Sequence, residues 1–278
     1  MRPLARLTVA LASTCLPAAV AADQPAAGEL RVCADPNNLP FSNSAGEGFE
    51  NELARMIAQR LGKRLAYTWW AQRRGFIRHT LAAGDCDLVV GVPAHYQLVE
   101  TTQPYYRSTY VFVTRRKSGL DITSMRDARL RALRIGVLLI GDDGTNTPPA
   151  HALGDQGVVD NVRGYSIYGD YRQPNPPARL IEALDNGEID VAAAWGPVAG
   201  YFAKTSKLPL DLRPITDTER FAPLQFQFDI AMGVRKGNHA LRDQLNQFIA
   251  EDREQITALL TSYGVPLMSK QRSASGGG

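Results

Sequence analysis

Apolar positions along this chain switch repeatedly between strand-like runs and helical spacing. Leu30–Ala34 is a short apolar run that predicts a strand, and the turn-rich stretch Asp35 to Phe41 follows it. Phe49, Leu53, Met56, Ile57 and Leu61 then share one helical face, with Gly62 as a stop. Leu65 to Trp70 reads as a second strand. Phe76, Ile77 and Leu81 recur at helical spacing, and Cys86 to Val92 is a third apolar run opened by Gly-Asp-Cys-Asp. Strand, helix and strand in this order predict βαβ units, a parallel sheet and helices on its faces.

The same grammar restarts downstream. Arg129 to Leu139 approaches a strand at Ile135–Leu139, and the polar, Gly- and Pro-rich stretch 141–149 is expected to be a loop. Leu180, Ile181 and Leu184 mark a helix, and Gly187-Glu188-Ile189-Asp190 leads into Val191 to Ala194 much as Gly-Asp-Cys-Asp leads into Leu88. The two halves read as copies of one architecture. Between them, the β-branched and aromatic run Thr109 to Thr114 suits a strand that crosses from one half to the other. Phe228 to Val234 suits the return strand, and Leu241, Leu245, Phe248, Ile249, Ile256, Leu259, Leu260 and Tyr263 make one or two closing helices. Two such crossings, near Val111–Arg115 and Gln227–Val234, would let the halves close on a ligand held by loops at the carboxyl ends of strands.

The N-terminus changes the compartment. Arg2 and Arg6 precede the apolar run Leu7 to Val20, and Ala19-Val20-Ala21 is a small-residue cleavage site. The run is shorter than a membrane-spanning helix requires, so a cleaved export signal is expected, with an uncleaved anchor as the alternative. Cys15 raises a lipoprotein signal, but Thr14 before it and the Ala-rich site downstream favour ordinary cleavage. Loss of Arg2 and Arg6 lowers the formal charge of +3 by two, leaving no basic excess for nucleic acid. A hydrophobic fraction of 44% supports real cores, and no second apolar run is long enough to span a membrane.

Export places Cys33 and Cys86 in an oxidising compartment. In a half with strand order 2-1-3 their strands are parallel neighbours, within disulfide reach; two buried free thiols are the competing reading. Two cysteines without nearby histidines do not fill a metal shell.

Several long motifs carry a resemblance. They are Leu-Arg-Val-Cys-Ala-Asp-Pro-Asn-Asn-Leu-Pro-Phe-Ser-Asn at 30–43, Gly48 to Glu52, Trp69-Trp70 with Gln72 to Phe76, Cys86-Asp87, Gly91-Val92-Pro93, and Pro104 to Val113. The chain resembles type II periplasmic solute-binding proteins, and within them the quinoprotein-dehydrogenase-associated proteins of methanol-oxidation operons, the MxaJ or XoxJ type. The resemblance implies an α/β fold of two doubly wound lobes joined by two crossing segments. Residues 1–22 would be a signal peptide, 23–112 with 229–270 lobe one, 113–228 lobe two, and 271–278 a disordered tail. It also implies a partner: a periplasmic alcohol (methanol) dehydrogenase using pyrroloquinoline quinone with calcium or a lanthanide, with its c-type cytochrome. The chain itself, expected to be monomeric, would carry no cofactor.

Departures from the wider superfamily bear on the ligand. Amino-acid binders of this type place an arginine two residues after the proline that follows the third strand, where it grips a carboxylate. Here that residue is His95. They also place a carboxylate two residues before a second-lobe proline, to meet the ligand ammonium. Before Pro197 that residue is Trp195. A zwitterion would therefore enter with its charges unpaired, which is costly.

The candidate cleft comprises Asn37, Asn38, Phe41, Trp69, Trp70, Arg73, His95, Tyr105, Tyr106, Asp142, Thr145 and Trp195, with Gln72, Arg74, Asp143 and Asn146 beside them. Aromatics there would offer apolar area and polar tips to a small molecule or a peptide. Each has a plainer reading as well: half of the aromatics are core, the asparagines are turn formers, the arginines are solvated and His95 is structural. Adjacent acids at Asp142 and Asp143 lack a calcium-loop spacing. No nucleophile elbow, zinc-protease helix, phosphate loop, dinucleotide fingerprint or haem-attachment motif occurs, and His79, His95, His151 and His239 form no metal-spaced pair. Three functions remain in view: an accessory factor for the dehydrogenase, a small-solute receptor of an ABC transporter, and a periplasmic dehydratase. The last is weakened by the missing carboxylate grip and the lack of an acid–base pair.

Overall fold

The structure, a computed structural model, describes residues 28–140, 146–166 and 173–269. The proposed signal segment, Asp142, Asp143, Thr145 and the small-residue tail lie outside these residues. In chain order the described elements are β1 (Glu29–Ala34), β2 (Asn37–Asn38), β3 (Ser42–Asn43), α1 (Phe49–Arg60), β4 (Arg64–Trp69), α2 (Phe76–His79), β5 (Leu88–Pro93), β6 (Glu100–Thr101) and β7 (Tyr106–Arg115). They continue with β8 (Ile135–Leu139), α3 (Pro148–Asp155), β9 (Val162–Ser166), α4 (Arg179–Asp185), β10 (Val191–Trp195), α5 (Gly196–Thr205), β11 (Leu210–Pro214), β12 (Gln227–Val234), α6 (His239–Glu251) and α7 (Arg253–Ser262).

The main sheet runs β4-β1-β5-β12-β7-β10-β8-β9, with β11 added beside β7 and β6 beside β12. At one end β1 lies between β4 and β5, parallel to both. At the other end β8 lies between β9 and β10, again parallel to both. Each half is thus a 2-1-3 arrangement, as the repeated grammar implied. Antiparallel β7 and β12 join them. Tyr106–Thr109 pairs with β12, whereas β10 and β11 flank the rest of β7 from Tyr110 onward. The partner exchange falls between Thr109 and Tyr110, just ahead of the expected crossing at Val111. β12 pairs with β7 through Gln227–Ile230 and with β5 through Ile230–Val234.

Both faces of each half are covered. Side chains on a strand alternate between faces. On β7 and β10, Val111, Val113, Ala192 and Ala194 enter one core with Leu180, Leu184 and Phe202. Tyr110, Phe112, Val191 and Ala193 enter the opposite core with Ile122, Leu130 and Leu153. In the first half, Leu30, Val32, Leu88 and Val90 pack on α1 and the closing helices, while Cys33, Val89 and Val92 face Phe76, Ile77 and Leu81. Helix α1 buries Phe49, Leu53 and Ile57, and Glu52 in its first turn supplies negative charge that suits the helix dipole. Gly48 before it must be glycine: a Cβ there would stand 2.0 Å from the Phe41 carbonyl oxygen.

Cys33 and Cys86 are disulfide-bonded, with Cα atoms 5.6 Å apart across the parallel β1–β5 pair. The helix expected to include Leu81 ends at His79, where the Thr80 hydroxyl donates to the Phe76 carbonyl. Leu81 is still buried, on the turn that follows. The expected loop 141–149 gives way to helix α3 at Pro148, because proline at a first helical position sacrifices no hydrogen bond. Strands β9 and β11 and helix α5 had no clear signal. Strand β9 (Val-Arg-Gly-Tyr-Ser) is an edge strand without apolar alternation, and α5 begins Gly-Pro-Val-Ala-Gly, a poor helix former by propensity.

Candidate functional site

The carboxyl end of β1 leads into a loop pinned by one acid. Asp35 is 2% exposed. Its two carboxylate oxygens accept the backbone N–H groups of Asn37 at 2.8 Å and Gln72 at 2.7 Å. Its carbonyl accepts the Ser42 hydroxyl at 2.8 Å, and that same oxygen of Ser42 accepts the Asp35 N–H. One buried carboxylate therefore joins the loop after β1 to the loop after β4. The Asn38 amide donates to Gln72 Oε1 at 3.2 Å and strengthens the joint.

This loop reaches the other half. The Asn37 side chain donates to the Gln173 carbonyl at 2.8 Å and accepts from Asn175 N–H at 3.2 Å. Leu39 is buried in the second-half core with Leu180 and Val198, and half-buried Phe41 packs on cores of both halves. Trp195, at the carboxyl end of β10, also touches cores of both halves, with its ring 5.2 Å from Tyr110 and 5.7 Å from Phe228. Asn37, Asn38, Phe41, Gln72 and Trp195 thus lie along the seam between the halves.

The other candidates are dispersed. Tyr105 and Tyr106 are buried in the first-half core, their rings 4.9 Å apart. Trp69 stacks on Tyr67 at 4.5 Å, whereas Trp70 is 46% exposed and stacks on His79 at 5.8 Å. Arg73 and Arg74 lie in the turn entering α2, where the Arg73 carbonyl accepts Phe76 N–H. His95 occupies an exposed turn with φ 63°, beside a surface depression of about 230 Å³ lined by Tyr96, Glu100 and Lys236. Asn146 N–H donates to His151 Nε2 at 3.2 Å, at the entry to α3. Among the described residues no three His, Cys, Asp or Glu side chains are grouped to hold a metal ion.

Glu50 was not singled out from the sequence. Its backbone N–H donates to the Phe41 carbonyl at 2.9 Å, and its carboxyl rests against the β5 backbone, where a Cβ on Gly91 would stand 2.1 Å from Oε1. Burial, and then the negative charge of Asp35, push this carboxyl up to about 8. It is mostly neutral at pH 7. Burial also pushes the Tyr105 and Tyr106 hydroxyls well up, with Glu50 adding to both. The buried Tyr105 hydroxyl has no hydrogen-bond partner among the described residues. Two signals were available for this cluster: Asp35 ends the first strand, and Glu50 follows an obligatory glycine in Gly-Phe-Glu.

Residues 30–264 match the family described as bacterial extracellular solute-binding proteins, family 3. The chain is 32% identical to Protein MoxJ of Methylorubrum extorquens (strain AM1), an alignment covering 93% of this chain and 91% of the relative. Among solved structures it is similar to the periplasmic binding protein XoxJ from Methylobacterium extorquens AM1, at 35% identity and TM-score 0.71 over 87% of this chain and 100% of that one. It is also similar to MxaJ from Methlophaga aminisulfidivorans MPT, at 26% identity and TM-score 0.75 over 86% and 100% of the two chains. With its two 2-1-3 halves and its paired crossing strands, the chain belongs to the bacterial extracellular solute-binding proteins, family 3, as a periplasmic binding protein of the MxaJ/XoxJ type on the type II fold.

Proposed function

We propose that this protein is an exported, non-enzymatic accessory factor that supports a pyrroloquinoline-quinone-dependent alcohol (methanol) dehydrogenase in the periplasm, by direct contact or by presenting a ligand. The observation that carries this reading is the near full-length likeness to a MoxJ protein, together with the J-type motifs at 30–43, 69–76 and 104–113. The seam supports it. The position of a ligand-pairing carboxylate holds Trp195, wedged among aromatic rings, and the position of a carboxylate-gripping arginine holds His95 on an exposed turn. A zwitterionic amino acid would find no fixed counter-charge at these two positions.

In this reading residues 1–22 are removed on export, lobe one comprises 23–112 with 229–270, and lobe two comprises 113–228. The mature chain acts as a monomer, and its candidate contact residues are Asn37, Asn38, Phe41, Trp69, Trp70, Arg73, His95, Tyr105, Tyr106, Asp142, Thr145 and Trp195. The family description favours a second reading, a small-solute receptor of an ABC transporter. Deleting the gene separates the two. Lower assembled or active alcohol dehydrogenase, restored by the wild-type gene and without loss of any solute uptake, is the expected result. Normal dehydrogenase activity with failure to grow on one nutrient would make transport the function.

A further inference from the structure

A binding protein that closes on a ligand needs two lobes whose facing surfaces separate easily, with the strain taken by the crossing strands. Here the surfaces are bonded at two places apart from β7 and β12. The first joins α5 of the second half to the chain that leaves α7 of the first half. Gly200 on α5 and Gly264 after α7 meet backbone to backbone: a Cβ on Gly200 would stand 1.8 Å from the Gly264 carbonyl oxygen. One turn earlier, a Cβ on Gly196 would stand 2.6 Å from both Pro266 Cγ and the Thr109 carbonyl oxygen. Polar groups bind the same joint. Lys204 Nζ on α5 donates to the Ser262 carbonyl of α7, and the chain after α7 is itself anchored to the first half, where the buried Ser108 hydroxyl donates to the Pro266 carbonyl at 2.7 Å and Met268 N–H donates to the Arg107 carbonyl at 2.9 Å. The Tyr201 ring stacks on Tyr263 at 5.8 Å, and Tyr263 in turn packs against Phe49 and donates its hydroxyl to the Glu47 carbonyl.

The second attachment is the loop after β1. Leu39 is buried in the core of the opposite half, and Asn37 exchanges two hydrogen bonds with the 173–175 segment. Rotation about β7 and β12 would withdraw Leu39 into water, break both Asn37 hydrogen bonds and pull two glycine backbones out of contact. Returning a buried leucine to water opposes that rotation.

We propose that the two halves form one rigid body, fastened by the Gly200–Gly264 joint and the Leu39 loop, and that the protein presents a preformed surface instead of closing around a solute. A preorganised surface binds without the ordering cost of closure. This stands whether or not the partner is a dehydrogenase.

Pulsed electron spin resonance on the full mature chain tests it, with nitroxide labels at Arg64→Cys and Val159→Cys, near opposite edges of the sheet. The expected result is one narrow distance distribution, unchanged by a mixture of the common amino acids at millimolar concentration. Gly200→Leu in the same labelled background should broaden or displace it. Two distances in the unsubstituted protein, or a shift on adding the amino acids, would overturn the proposal even if Gly200→Leu failed to fold. Either result leaves the dehydrogenase reading to the deletion strain.

Discussion

The two ends of the sheet share one topology and are held by different means. In the first half β1 runs beside β4 over six paired residues, and Cys33–Cys86 ties β1 covalently to the approach of β5. In the second half the corresponding strands carry no cysteine. Close approach replaces the covalent tie: a Cβ on Gly136 of β8 would stand 2.5 Å from Ile189 Cδ1 and 2.6 Å from Leu180 Cδ1, and three of the five residues of β10 are alanine. The repeat thus preserves strand order and leaves the cohesion free to differ. The first half also lends its β1 exit loop to the second, so the dependence between them is not symmetrical.

Removing the covalent tie should have the largest effect. Replacing both Cys33 and Cys86 by serine opens a loop of 53 residues and should cost about 4 kcal/mol in denaturant unfolding. Hydrogen exchange should rise first in β1, β4 and β5. Equal acceleration in β8–β10 would mean that the two halves do not differ in cohesion. Next, Leu39→Ala deletes the first half's apolar contribution to the second and should cost about 3 kcal/mol. The loss belongs to the Leu180 core although the substitution lies in the first half. Unchanged exchange around α4 would contradict that assignment.

Glu50→Gln should raise stability, by an amount set by pH. Below about 4.5 the carboxyl is protonated in both folded and unfolded chains, so the variant matches the parent. As pH rises toward 8 the unfolded chain releases its proton while the folded chain holds it, and the parent loses stability that glutamine retains. Melting curves should coincide at pH 4 and separate by a few degrees at pH 8; parallel curves would place Glu50 in water. The smallest effect is Asn37→Ala, which removes two partly exposed hydrogen bonds and should cost about 0.5–1 kcal/mol, with wider label distances between the halves. A loss as large as that of Leu39→Ala would shift the weight of the attachment from packing to hydrogen bonding.

Elements with a strong period were legible from residues alone. The face of Phe49, Leu53 and Ile57, the runs at 30–34 and 191–194, and the closing helices all appear where the pattern puts them. Strand β9 was not legible because an exposed edge strand has no reason to alternate, and α5 was not because its glycines serve contact with another element at the expense of propensity. Site residues divided in the same way. Topology correctly put Asn37 and Asn38 on the β1 exit loop, but nothing local distinguishes an asparagine that holds a ligand from one that holds Gln173.

The sequence by itself determined the α/β class, the repeated halves and the family likeness, and made Cys33–Cys86 the expected pairing against two free thiols, because each follows from short-range periodicity, motif order or strand adjacency. Only the tertiary structure decided that Leu39 belongs to the other half's core, that Glu50 is pressed against Gly91 beside Asp35, and that Gly200 meets Gly264. Those outcomes depend on backbones far apart in sequence coming within a few ångströms, where the identity of a side chain matters less than whether there is room for one.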